Sequence, residues 1–227
     1  MAKSSETADP WTELRREWRA IWRFLAVTLG VLWVAELVDL LVFSGALDGF
    51  GVRPREVAGL IGVLAHPFLH GGLGHLVSNT VGFALLAPLV IARGRRDYIL
   101  VWLVGTLLGG LGVWLVGRGG SVHIGASGVV FALFGYLLSA GWFERRFGTI
   151  VLSVFVLLAY GGMIYGVLPG QVGVSWECHL FGFLSGVLMA KLLARPEPEA
   201  ASLESLRARP KPGEAASKRP WWRLWGR

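Results

Sequence analysis

Polar positions interrupt this chain at only a few places, and long apolar stretches run between them. Six apolar segments can be drawn: Ile21–Phe43, Leu76–Ala92, Tyr98–Val116, Ser127–Phe143, Thr149–Leu168 and Cys178–Leu193. A helix that crosses a bilayer needs about 20 mainly apolar residues, with a range of about 17–25. The fourth and sixth segments are short by that measure. A short helix that starts below the surface leaves its first residues in a protein-lined cavity rather than in lipid. The pattern predicts an all-α polytopic membrane protein, a compact bundle of six transmembrane helices. Residues 1–20 read as a cytoplasmic N-terminal segment, 21–195 as the membrane domain, and 196–227 as a basic, Trp-rich cytoplasmic tail whose composition predicts disorder.

Two segments outside the spans carry their own patterns. The loop from Ser44 to Gly74 is long for a compact domain and contains the apolar stretch Val57–Leu64, which is expected to lie partly in the membrane interface. The tail ends in Trp221-Trp222-Arg223-Leu224-Trp225. Alternating tryptophan and arginine next to a membrane reads either as an interfacial anchor or as an unstructured end.

Composition supports the membrane reading. Hydrophobic residues make up 54% and charged residues 16%, with a mean hydropathy of +0.56, whereas a soluble domain carries about 25% charged residues. The net charge of +7 could suggest nucleic acid. The basic residues instead lie between apolar segments and at the two ends, which fits anionic lipid and no nucleic acid. Cys178 is the sole cysteine, so no internal disulfide can form. The N-terminal stretch is acidic in part and lacks a short apolar core with a small-residue cleavage site, so no cleavable signal peptide is expected.

Lysine and arginine also set the expected orientation. Lys3, Arg15, Arg16, Arg19 and Arg23 precede or open the first segment, Arg93, Arg95 and Arg96 follow the second, and Arg145 and Arg146 follow the fourth. A basic run from Lys191 follows the sixth, while the opposite loops hold Arg53, Arg55 and Arg118. Both termini are therefore expected in the cytoplasm. Segments two, four and six then run from outside to inside. That direction brings His75, Asn79, Ser127 and His179 to one depth on the outer side.

These residues carry the candidate chemistry. Ser127 lies in Gly125-Ala126-Ser127-Gly128 at the start of a helix, where free N–H groups and the positive dipole end favour an oxyanion. A serine needs a base beside it to act as nucleophile. His179 precedes Gly182, Gly186 and Ala190 on one helical stripe, and Gly128, Ala132 and Gly135 form a small stripe on the fourth segment. Two such faces let backbones approach closely, which would bring the imidazole to the serine hydroxyl. The plain alternative is ordinary packing by small residues and interhelical hydrogen bonds. His75 and Asn79, four apart, share a face and can donate to a developing oxyanion, or serve as interhelical glue. Phe131, four after Ser127, can pack against the His179 ring. His66 and His70 invite a metal reading together with His75. Without a His-Glu-x-x-His or a cysteine cluster, loop packing is preferred and no metal is expected. Glu177 and Cys178 fall on other helix faces than His179, His123 reads as a loop residue, and Glu36 and Asp39 read as a structural pair or a proton path.

Taken together, His70…His75-x-x-x-Asn79, Gly125-x-Ser127-Gly128 and His179-x-x-Gly182-x-x-x-Gly186 resemble the rhomboid intramembrane serine proteases in order, spacing and helix assignment over about Arg53 to Leu193. The resemblance implies an endopeptidase that needs no cofactor and cleaves transmembrane segments of other membrane proteins. Ser127 would be the nucleophile and His179 the general base, without a third acid. His75, Asn79 and the backbone N–H groups of Ser127 and Ala126 would form the oxyanion hole, with Gly125, Gly128, Phe131, Gly182 and Gly186 supporting. Where some members carry a Trp-Arg pair in the first loop, this chain has Ile61 and Gly62; where some bacterial members have tyrosine four after the serine, it has Phe131. Two rivals are a catalytically inactive rhomboid-like protein that binds membrane clients, and a channel or transporter. The first would lack the serine or histidine, and the second would show repeats or broken helices in matching halves. The six-helix form without organellar targeting points to a bacterial inner membrane, with the site open to the extracytoplasmic side.

Overall fold

The computed structural model describes residues 9–171 and 173–195 of the chain; the expected Trp-rich tail lies outside the described residues. Among the latter, six long helices form the architecture. They are α1 (Pro10–Val38), α2 (Leu73–Arg93), α3 (Arg95–Val116), α4 (Ser127–Glu144), α5 (Phe147–Tyr160) and α6 (Trp176–Leu192). Five helical stretches are long and apolar enough to cross a membrane: Trp11–Phe43, Leu73–Arg93, Arg95–Val116, Ser127–Glu144 and Phe147–Val167. The sixth helix, α6, has 17 residues, at the lower edge of the spanning range of about 17–25. The protein is an all-α membrane bundle.

Two boundaries differ from the hydropathy pattern. Helix α1 begins at Pro10, well before Ile21, because Asp9 caps the Trp11 N–H and proline occupies the first helical position. The helix therefore reaches back through Arg15, Arg16 and Arg19, residues expected in a separate N-terminal segment. Hydropathy cannot mark this start, because a polar helical turn continues an apolar one without a break in backbone bonding. At the other boundary, α5 ends at Tyr160 and the chain tightens into a 3₁₀ segment, Gly161–Val167. Glycines at 161 and 162 lower helix propensity there.

Packing concentrates on α4. Its buried residues point all round the helix and include Val129, Ala132, Leu133, Phe134 and Leu137, as expected of a helix surrounded by neighbours. Helix α6 lies against it with almost no space between backbones. A Cβ placed on Gly182 would collide with the Gly128 carbonyl, one on Gly186 with that of Ala132, and one on Gly135 with that of Phe183. Helix α5 is the opposite case. Its buried residues are Thr149, Ser153 and Val156, while Leu157 and Leu158 face outward.

At the end of α4 remote from Ser127, a buried polar network ties four helices. Arg93 of α2 pairs with Glu144 of α4 at 2.7 Å, and Thr149 of α5 donates to the same carboxylate at 2.9 Å. Tyr136 donates to Asp97 of α3 at 2.7 Å and accepts from Arg93 at 3.4 Å. Each buried charge there has a partner of opposite sign or a hydroxyl, the condition under which such groups are tolerated.

The loop between α1 and α2 is folded rather than open. It contains 3₁₀ segments at Ala46–Phe50, Val57–Leu60 and His66–Phe68 and a helical turn at Gly62–Ala65. Phe50, Val57, Ile61 and Leu64 remain exposed on it, the apolar surface expected of an interfacial segment. Gly62 packs on the backbone of Gly51 and Val52, so no side chain fits there.

Candidate active site

The start of α4 is held by the loop before α2. Gly125 adopts φ +111°, a left-handed conformation that glycine adopts without penalty. A Cβ at this position would stand 2.5 Å from His75 Cε1 and 3.6 Å from Asn79 Nδ2. Glycine is thus required both by the turn and by the His75 ring that approaches it. The Gly125 N–H donates to the His66 carbonyl at 2.8 Å, and the His66 ring Nδ1 lies 3.1 Å from the Gly125 carbonyl oxygen. His66 packs in the loop as expected, but it does so by clamping the residue two before Ser127.

Ser127 is the first residue of α4, so its N–H has no acceptor within the helix. Its Oγ lies 2.8 Å from His179 Nε2. The other ring nitrogen, Nδ1, lies 2.9 Å from the Gly166 carbonyl oxygen. A carbonyl can only accept, so Nδ1 must carry the proton. In the neutral ring Nε2 is then the unprotonated nitrogen and accepts the serine hydroxyl proton. The Gly166 carbonyl therefore fixes the tautomer and the orientation of the His179 ring. This residue was not among those singled out from sequence. The local signal is the glycine-rich turn after α5, where a helix stops and leaves carbonyls free.

Phe131 stacks on the His179 ring, with centroids 4.0 Å apart and planes at 10°. A Cβ on Gly166 would meet Phe131 Cζ at 2.5 Å and His179 Nδ1 at 3.3 Å. The imidazole is thus confined by Phe131 and Gly166 and faces Ser127. It is 9% exposed.

His75 and Asn79 project from the first turns of α2 toward Gly125. The Asn79 Nδ2 is buried and has no hydrogen-bond partner among the described residues. An unsatisfied amide donor in a buried position is costly unless something else is meant to accept from it. His70 stands edge-on to His75 at 5.3 Å between centroids. Burial and the neighbouring His75 push His70 down to about 4, so it is neutral at pH 7. Its Nε2 accepts a long bond, 3.5 Å, from the Ala126 N–H. That N–H is directed to His70 rather than into the space beside Ser127.

A second, outer layer joins the two loops that lead to Ser127 and His179. Ser121 Oγ donates to the Arg118 carbonyl at 2.6 Å and lies 2.8 Å from His123 Nε2. With its proton used there, the serine oxygen accepts from Nε2–H. His123 Nδ1 is then the acceptor for the Ser175 hydroxyl, at 2.7 Å. His123 precedes Ser127 by one helical turn's worth of chain, and Ser175 precedes His179 likewise; the Ser175 carbonyl accepts from the His179 N–H at 3.2 Å. His123, read as a loop residue from sequence, is a loop residue that bridges both arms. Burial is the main cause that keeps its ring below the ordinary histidine value, with Glu177 opposing and Arg118 reinforcing.

The remaining candidates lie elsewhere. Cys178 is buried, its Sγ packed against Gly128 and Gly109. Glu177 is buried and makes no bond to the His179 ring among the described residues. Glu36 accepts from the Gly72 N–H at 3.1 Å, and Asp39 from the Leu47 N–H at 3.0 Å.

This geometry can be set beside known proteins. A family model described as Rhomboid domain matches residues 57–196, a stretch that includes His66, His70, His75, Asn79, Ser127, Gly166 and His179. An uncharacterised protein of Mycobacterium tuberculosis is 39% identical over 207 residues, covering 87% of this chain and 85% of the relative. A putative rhomboid protease of Bacillus subtilis is 29% identical, covering 55% of this chain and 62% of its own. A rhomboid-type serine protease of Emericella nidulans is 30% identical, covering 56% of this chain and 26% of its own. With its matched domain spanning the helices that bring Ser127, His179, His75 and Asn79 together, this chain belongs to the rhomboid family.

Proposed function

We propose that this chain is an intramembrane serine endopeptidase that hydrolyses peptide bonds in transmembrane segments of other membrane proteins. The observation that carries the reading is the 2.8 Å approach of Ser127 Oγ to His179 Nε2, with Nδ1 occupied by the Gly166 carbonyl. Family membership supports it but does not by itself distinguish an enzyme from an inactive relative.

The chemistry follows from the placement. His179 Nε2 takes the Ser127 proton as Oγ attacks the scissile carbonyl carbon, and the imidazolium then gives that proton to the leaving amine. Water regenerates the serine by the reverse transfers, which frees the new carboxyl end. Negative charge on the tetrahedral oxygen is met by the Ser127 N–H, the Asn79 amide and His75. The Ala126 N–H is left out of this set because His70 engages it. Asn79 is buried and Ser127 and His75 are half-buried, so solvent screening at these donors is weaker than at the open surface. The lysine and arginine distribution supports cytoplasmic termini and a site open to the other side, and the six-helix form fits a bacterial inner membrane.

The test is labelling of the purified protein with a fluorophosphonate, together with cleavage of a reporter transmembrane substrate. Wild-type protein should label at Ser127 and cleave. Ser127→Ala and His179→Ala should each abolish both signals, and the double variant should be no worse, since the pair acts as a unit. Wild-type protein that folds but neither labels nor cleaves would instead be a client-binding relative.

A further inference from the structure

The joint between α1 and the following loop gathers carboxylates. After Val38 the helix widens into a π-turn, Asp39–Phe43, and Ser44 and Gly45 then take φ +52° and +81°. The chain reverses, and the 3₁₀ segment Ala46–Phe50 carries Asp48 back to the end of α1. Glu36, Asp39 and Asp48 each offer a carboxylate oxygen within 4.8 Å of the other two.

Among the described residues no cation pairs with these carboxylates; Arg53, whose guanidinium donates to the Gly49 carbonyl beside Asp48, pairs with Glu56. The ion pairs among the described residues are Arg53–Glu56, Arg93–Glu144 and Arg95–Glu17, none of which involves this group. Glu36 is 1% exposed and Asp39 2% exposed. One oxygen of each of these two is occupied by a backbone N–H, from Gly72 and Leu47 respectively. The second oxygen of Glu36, Oε2, is buried and has no hydrogen-bond partner among the described residues, and Asp48 Oδ1 is buried without one as well. Such carboxyls either keep protons or share a cation.

We infer that Glu36, Asp39 and Asp48 form a binding site for a hard divalent cation, calcium in the first place. The donors are all carboxylate oxygens, with no imidazole or thiolate, which argues against zinc and other soft-ligand metals. Calcium accepts irregular oxygen sets completed by water, whereas magnesium demands a near-octahedral shell. The unpartnered Glu36 and Asp48 oxygens are the positions such an ion would satisfy. A bound ion would fasten the end of α1 to its loop and, through the Glu36 bond to Gly72, to the residue that caps α2. The inference is independent of the protease reading.

The full chain, purified in detergent and stripped with EDTA, provides the test. Its unfolding temperature is read by tryptophan fluorescence with about 10 mM calcium chloride, with magnesium chloride, and with sodium chloride of equal ionic strength. For affinities of the order found in extracellular calcium modules, about 10⁻⁴–10⁻³ M, calcium should raise Tm by about 3–10 °C. Magnesium should do less and sodium nothing. Glu36→Gln and Asp48→Asn should each remove the calcium increment; both retain an oxygen of similar shape. If Glu36→Gln fails to fold, Asp48→Asn alone decides, since Asp48 lies in the loop. No increment in the wild type would show that the triad holds protons and overturn the proposal. So would an increment that persists in a folded variant, because calcium would then bind elsewhere. An equal magnesium increment would overturn the choice of ion.

Discussion

Replacing Gly182 by alanine probes the link between helix packing and chemistry most directly. The added Cβ would stand 2.9 Å from the Gly128 carbonyl carbon and 3.1 Å from its Cα, and nearer still to the oxygen. These are backbone atoms and cannot rotate away. Ordinary contact lies at 3.4–4 Å, so α6 must withdraw from α4 by roughly 1 Å in a close-packed interior. Gly128 adjoins Ser127, and His179 sits one turn before Gly182, so the shift falls on the 2.8 Å serine–histidine approach. A misplacement of about 1 Å costs on the order of 10²-fold in rate, and overpacking costs about 1–3 kcal/mol in stability. The expected outcome is a fall in kcat of about 10²-fold, with a lowered but still cooperative Tm. Reporter cleavage in liposomes and a fluorescence melt measure the two. Gly135→Ala opposes the Phe183 backbone farther along the same interface, and should cost similar stability but less activity. Gly148→Ala, with open space around it, should change neither. Wild-type kcat and Tm in Gly182→Ala would refute the argument that this contact sets the distance.

Three further outcomes are expected. Asn79→Ala should lower kcat by up to about 10²–10³-fold with little change in KM, because the donor acts mainly in the transition state; a large Tm loss with unchanged kcat would make Asn79 helix glue. His123→Ala should reduce kcat roughly 3- to 30-fold by uncoupling the loops before Ser127 and His179, with partial recovery in His123→Gln; equal activity in all three would show that the loops hold without it. Arg93→Met should destabilise by about 3–5 kcal/mol, since Glu144 is left buried and short of its cation; a melt unchanged within about 1 °C would contradict a structural role for that network.

Much of this protein follows from order along the chain alone. Apolar length and the spacing of basic loops predict six helices, because a bilayer admits few other ways to satisfy backbone groups. Small residues three and four apart on two segments predict which helices touch, because backbone contact requires the absence of side chains. His75, Asn79, Ser127 and His179 are legible for the same reason: polar groups in apolar helices are costly and few. Tertiary structure decided what has no such local cost. The glycines around Gly166 mark a turn with free carbonyls but do not single out one of them as the partner of His179, since any backbone carbonyl could serve and only the folded turn after α5 aims this one. The engagement of the Ala126 N–H by His70, and the return of Asp48 to Glu36 and Asp39, likewise depend on how the loop after α1 folds back. Hydropathy also missed the true start of α1 at Pro10, because capping and helix propensity, not burial, determine where a helix begins beyond the membrane. The sequence determines which segments enter the bilayer and which polar groups they carry. The distances and proton positions that make those groups a site arise only once backbones from remote parts of the chain meet.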